Sequence, residues 1–219
     1  MEDKYQYILK YIQSFKKLYR KEYHFLPVAV EDELIAFENR FNIKIPDDYR
    51  WFLLNIANGI VVNNEWDWNI TLLNRIDFND YKCGEDEGNP ALPFRLDKRV
   101  KFHSNESEEE DYPYEVIIEQ DKDFYVRFSN GNISIAYNEI EEKDFLLIVN
   151  GKEFGNVWVD DMKKDEVYPY YNFQINKRRL NFSDWLSMKI DFLICNQKIE
   201  EKEEKVKRNF ISKIVELFR

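Results

Sequence analysis

The sequence predicts an α+β fold, because helical patterns come first, a run of short strands follows, and helical patterns return at the end. Three observations carry this. Apolar residues recur at helical spacing near both ends of the chain, short β-rich runs crowd residues 114–159, and two of the breaks between those runs are Asn-Gly, at 130–131 and 150–151. The order does not alternate strand and helix, so it predicts an antiparallel meander and not a series of βα units.

At the N-terminus, Tyr5, Ile8, Leu9, Ile12 and Phe15 fall on one side of a helix over about 4–20, with Lys10, Lys16 and Lys17 largely opposite. His24-Phe25-Leu26-Pro27 breaks this pattern, since Pro27 disfavours helical geometry at Leu26, and His24 is expected at the surface.

Residues 31–59 then read as two short helices joined at Ile45-Pro46. In the first, Leu34, Phe37 and Phe41 form an apolar stripe to be buried, while Asp32, Asn39 and Arg40 point elsewhere. Pro46 ends that helix and starts the second on its own fixed φ. Asp47 and Asp48 complement the positive end of the second helix's dipole, and Tyr49, Phe52, Leu53 and Ile56 make its apolar stripe. Asn58-Gly59 is read as its cap, with Gly59 supplying a left-handed conformation. Helices this short are marginal alone in water, so the pair must pack on apolar surface from the rest of the chain.

Beyond Gly59, Ile60-Val61-Val62 is β-branched and Glu65-Trp66-Asp67-Trp68 alternates, with both tryptophans on a core-facing side and both acids on the other. Residues 70–78 continue with β character, and 80–93 read as a loop. Glu106, Glu108, Glu109, Glu110 and Asp111 concentrate five acids in six residues and must be solvated. Strands are expected at 114–118, 124–128, 133–137, 145–149 and 157–159, with turn material at Asp121-Lys122, at both Asn-Gly pairs and at Asp160-Asp161. Residues 167–173 suit a further strand. Phe182, Trp185, Leu186, Ile190 and Leu193 then define a helix that packs on the sheet, and residues 198–219 end in an amphipathic helix.

The chain has 219 residues, 44% of them apolar, with 17 Phe, 14 Tyr and 5 Trp, enough for a single domain with a sizeable core. Its net charge of −10 opposes binding to nucleic acid or to an anionic membrane and favours a basic partner. Cys83 and Cys195 have no CxxC spacing, as fits a reduced cytoplasmic protein, and no segment has the ~20 apolar residues of a membrane span. Neither a phosphate-binding loop nor a GxGxxG turn is present among only 6 Gly. Cys195 and His103 lack the local signature of a nucleophile pair, and Cys195 is read as a small core residue. Carboxylates such as Asp160-Asp161 and Glu65/Asp67 have no partner that would make them an acid/base or metal site, so no metal, no cofactor and no catalytic residue is assigned.

One resemblance adds to this. Leu34, Phe37-Glu38, Ile43, Ile45-Pro46, Asp48-Tyr49, Phe52-Leu53 and Asn58-Gly59 together resemble the signature of the SUKH superfamily, which includes bacterial immunity proteins and fungal cell-wall-synthesis regulators. The chain departs from the usual pattern in having Leu34 for Ile, Ile45 for Leu before the proline, and Ile60 where a second Gly often follows. The resemblance implies paired helices and a closing helix packed on a twisted antiparallel sheet, with a family-like core at about 28–195 and added helices at about 4–20 and 198–219. It also implies a non-catalytic cytoplasmic immunity protein that neutralises a toxin domain, often a nuclease and hence basic, with a regulatory scaffold or a carboxylate-dependent enzyme as alternatives. The acids from Glu106 to Asp111 are then the first candidates for the partner surface, followed by Glu65 and Asp67.

Overall fold

A computed structural model describes residues 5–19, 23–62, 69–70, 88–101, 129–138, 140–172 and 178–195. The chain divides into a unit made of Met1–Arg20 with Leu186–Arg219 and a unit made of Lys21–Trp185. In the first unit, helix α1 spans Gln6–Leu18 and buries Ile8, Ile12 and Phe15, as its spacing predicts. The Tyr19 hydroxyl just beyond it donates to the Leu193 carbonyl at 2.6 Å.

The second unit begins with a strand absent from the sequence reading, β1 at Tyr23–Phe25. Three residues are too few to show alternation, and what makes them a strand is their pairing with β2, Ile60–Val62, in the register Tyr23↔Val62 and Phe25↔Ile60. His24 is exposed, as expected.

Helices α2, Glu31–Phe41, and α3, Asp47–Asn55, part at Ile45-Pro46. In α2 the stripe is buried unevenly: Leu34 is fully enclosed, while Phe37 and Phe41 are half-buried, their rings tilted against each other at 5.0 Å with the Arg40 guanidinium over Phe41. The residue buried beside Leu34 is instead Glu38. Asn42 closes the helix in the left-handed conformation at φ 49°, which its short polar side chain tolerates. The α3 stripe of Tyr49, Phe52, Leu53 and Ile56 is buried as predicted. Gly59 does not cap this helix, which stops at Asn55; with φ +122° it turns the chain into β2 three residues after the C-cap at Ile56.

The remaining strands are β3 (Asn69–Ile70), β4 (Val100–Lys101), β5 (Asn132–Asn138), β6 (Lys143–Ile148), β7 (Val157–Asp161), β8 (Glu166–Pro169), β9 (Tyr171–Asn172) and β10 (Arg178–Arg179). The first eight strands form one antiparallel sheet in the order β1-β2-β3-β5-β6-β7-β8-β4, and β9 pairs with β10. Of the expected meander, the strands at 133–137, 145–149 and 157–159 are β5, β6 and β7, continued by β8. Helix α4 covers 182–195 and starts where Asn181 accepts from the Asp184 N–H through its side chain. The fold is therefore α+β, with helices on an antiparallel sheet.

Alternation assigns the two faces of that sheet. Phe145, Val159 and Leu147 point one way, and there Phe145 meets Trp185, Trp185 meets Phe182, and Phe182 meets Tyr49 and Phe52 at centroid distances between 4.6 and 5.8 Å. Leu146, Ile148, Trp158 and Val167 point the other way and close a second core with Phe94 and Val100. Residues buried on both faces explain why β6 reads as the near-continuous run Phe145-Leu146-Leu147-Ile148 and shows little alternation.

Asn150-Gly151 does not form a two-residue hairpin turn, and residues 102–128, before Asn130-Gly131, lie outside those described. The β6–β7 connection takes residues 149–156, and both pairs grip the segment 89–94. Asn89 N–H donates to the Asn130 side chain at 2.6 Å, Gly131 N–H to Asn89 O at 3.1 Å, Phe94 N–H to Asn150 O at 3.0 Å and the Asn150 amide to Ala91 O at 2.6 Å. A Cβ on Gly131 would lie 2.3 Å from the Phe94 nitrogen, so the close approach of backbones requires glycine there. Two further expectations are corrected. Asp160-Asp161 are the last residues of β7 and not a turn, because their partners Asp144 and Lys143 extend β6 to meet them. Cys195, near the end of α4, is exposed and not a core residue, since the buried positions of that part of the helix are Ile190 and Ile194.

The strands expected at 114–118 and 124–128, the tryptophans Trp66 and Trp68, Cys83, His103 and the helix at 198–219 lie outside the described residues. Among the described residues no helix is long and apolar enough to cross a membrane.

Candidate protein-interaction surface

The signature residues of the paired helices turn out to be internal supports. Leu34, Ile45, Pro46, Asp48, Tyr49, Phe52, Leu53 and Gly59 are buried and Phe37 half-buried, so they position a surface without forming one. Asp48 shows how. Its carboxylate accepts from Tyr49 N–H at 2.9 Å and from Ser183 N–H at 2.9 Å, tying the start of α3 to the start of α4. Burial pushes this carboxyl above the usual range, against the lowering effect of those bonds.

Glu38 does the same for the α2–α3 corner. It accepts from the Ile45 N–H at 2.9 Å and from Lys44 Nζ at 3.2 Å, and it pairs with Arg50 at 3.1 Å. Burial would raise its pKa, but these bonds and the two cations together hold it below the ordinary value. Arg50 also pairs with Glu31, so one guanidinium links the first turn of α2 to α3.

Glu106, Glu108, Glu109, Glu110, Asp111, Glu65 and Asp67 lie outside the described residues. The acids that are described gather at one end of the sheet, where the β5–β6 and β7–β8 turns stand side by side. Met162 N–H donates to Glu142 O at 3.0 Å and Lys163 Nζ bonds the Ile140 carbonyl, so each turn holds the other. At the strand ends behind them, Asp144 and Asp160 are direct cross-strand partners on the face opposite the helices. The Ser134 hydroxyl donates to Asp144 at 2.6 Å. Burial, with the Asp160 charge as a lesser cause, pushes Asp144 up to about 7 against the effect of that bond. Burial and the charges of Asp161 and Asp165 push Asp160 up to about 6.

On the other face of the same strands, Asp161 lies 3.6 Å from Lys143 and accepts from the Tyr168 hydroxyl at 3.2 Å. Buried Glu166 pairs with Arg99 at 3.2 Å, and that guanidinium lies over the Tyr168 ring. Among the described residues no group of three or more His, Cys, Asp or Glu is placed to hold a metal ion. What this end of the sheet presents is carboxylate charge of varied protonation, flanked by the exposed apolar side chains of Ile140 and Met162.

Residues 29–188 match the sequence profile of the SMI1 / KNR4 family (SUKH-1). The chain belongs to that family. The match begins just before α2 and ends within α4, so the SUKH-1 region contains the helix pair and the whole described sheet except β1. No curated protein and no solved structure matches the chain. SUKH-1 membership is consistent with an immunity or regulatory protein that works by binding. The strands that the sequence predicts, 145–149 and 157–159, stop short of Asp144 and Asp160, so the pair does not show in that reading. Extending the alternation of β6 back to Lys143 and that of β7 forward to Asp161 would have placed both acids on one face.

Proposed function

We propose that this SUKH-1 protein is a non-catalytic immunity protein, acting in the cytoplasm, that binds and neutralises a basic toxin domain. Membership of the family over residues 29–188 carries the reading. The net charge of −10 supports it, because a toxin that acts on nucleic acid is basic where it holds its substrate and an acidic antidote gains association rate and complementarity against that surface. The described end of the sheet, with Asp144, Asp160 and Asp165, offers charge of the required sign.

Sequencing the neighbouring reading frames for a toxic domain, and co-expressing such a domain with this protein, tests the reading. Restored growth and a purified one-to-one complex are expected, whereas continued growth arrest would overturn it. The acidic run has its own test within that complex. Replacing Glu108, Glu109 and Glu110 by Gln is expected to slow association and flatten its dependence on ionic strength without affecting folding. Identical curves for wild type and variant would remove those residues from the interface.

A further inference from the structure

We propose that the paired turns at Ile140 and Met162 are the anchor of the partner interface, seating an apolar contact of a basic toxin domain while the carboxylates around it receive that domain's cationic side chains. This rests on the immunity reading and adds to it a surface and the chemistry of what fits there.

Three observations converge. First, Ile140 and Met162 are 49% and 47% exposed although they stand on adjacent turns joined by backbone bonding, which makes a fixed apolar platform at no cost in loop ordering. Second, the charge beside it is unbalanced. Lys143 is committed to Glu141 and Asp161 and Lys163 to Glu142, so that against the one further cation of these turns, Lys164, stand Asp144, Asp160 and Asp165, none of them ion-paired among the described residues. Third, Asp144 and Asp160 are opposed directly across two strands, so ionising both is unfavourable in the isolated protein, and a guanidinium or ammonium from outside would favour it. An apolar centre with an unsatisfied acidic rim suits a basic partner and repels an acidic one.

A second exposed apolar pair, Val30 and Ile35, does not combine these features. Val30 and Ile35 on the first turns of α2 lie beside Glu33 and Glu31, but Glu33 already accepts from the Val30 N–H and Glu31 is paired with Arg50.

The probe is the toxin domain that the wild-type protein is tested against, and the readout is its dissociation constant. Ile140→Lys with Met162→Lys places two cations at the centre and is expected to weaken binding at least ~100-fold, and Ile140→Ser with Met162→Ser about 10-fold. Val30→Lys with Ile35→Lys, at equally exposed positions, is the control and should change affinity less than about 2-fold. Thermal denaturation confirms that each variant is folded. If the wild type neutralises the toxin and both turn variants bind as tightly as the control, the interface lies elsewhere and the proposal is overturned while the immunity reading stands. If the wild type itself fails to bind, both fall together.

Discussion

Asp144 and Asp160 face each other across β6 and β7 with no cationic partner among the described residues, one pushed up to about 7 and the other to about 6. A carboxyl whose folded pKa lies above its unfolded value of 3.8 holds its proton in the native state after the unfolded chain has lost it. Its contribution to stability is therefore present below about pH 4 and declines as pH rises toward 7, opposite to the usual carboxylate. Asp144→Asn removes that dependence and keeps an acceptor for Ser134. Urea midpoints measured from pH 4.5 to 8 should fall less steeply for Asp144→Asn, and the variant should be the more stable above pH 7 by on the order of 2 kcal/mol. Parallel curves would show that Asp144 titrates normally.

Asp48 joins α3 to the start of α4 by hydrogen bonds to the Tyr49 and Ser183 N–H groups. Asp48→Ala strands the buried Ser183 N–H and should cost about 2–4 kcal/mol, since each unsatisfied buried donor carries its full desolvation penalty. Asp48→Asn keeps one accepting oxygen and should lose roughly half as much. Chemical denaturation of the two variants checks both the sign and the order.

Phe52 is 1% exposed and meets Phe182 edge-on at 5.3 Å. Phe52→Ala should cost about 3–5 kcal/mol, through lost transfer free energy and the cavity left against α4. An unchanged denaturation midpoint would contradict this packing.

Gly131→Ala tests the grip of the Asn-Gly pair on residues 89–94. With φ at +68° and the Phe94 nitrogen 2.3 Å from the would-be Cβ, the substitution should cost about 1–3 kcal/mol and accelerate hydrogen exchange at Phe94 N–H. Protection at Phe94 equal to the wild type's would show that the segment is held by other contacts.

How much of this was legible in the sequence depended on whether neighbours along the chain supplied the information. Pro46, the stripe Tyr49-Phe52-Leu53-Ile56 and the periodicity of α1 and α4 are local, because a backbone without an N–H and a 3.6-residue repeat act within one or two turns. They determined the α+β class, the helix pair and the meander. Only the tertiary structure decided the rest. β1 exists through its register with β2, which lies 35 residues further on, and three residues carry no period of their own. The two Asn-Gly pairs read as hairpin turns because that is their local preference, yet the backbone of 89–94 claims their donors and acceptors. Asp144 and Asp160 are separated by 15 residues and become a pair only when β6 and β7 fix their register, since an alternation of two places each acid on a face but says nothing of what stands opposite. Charge was readable as composition, whereas its unbalanced placement beside Ile140 and Met162 depends on which lysines the fold brings within reach of which acids.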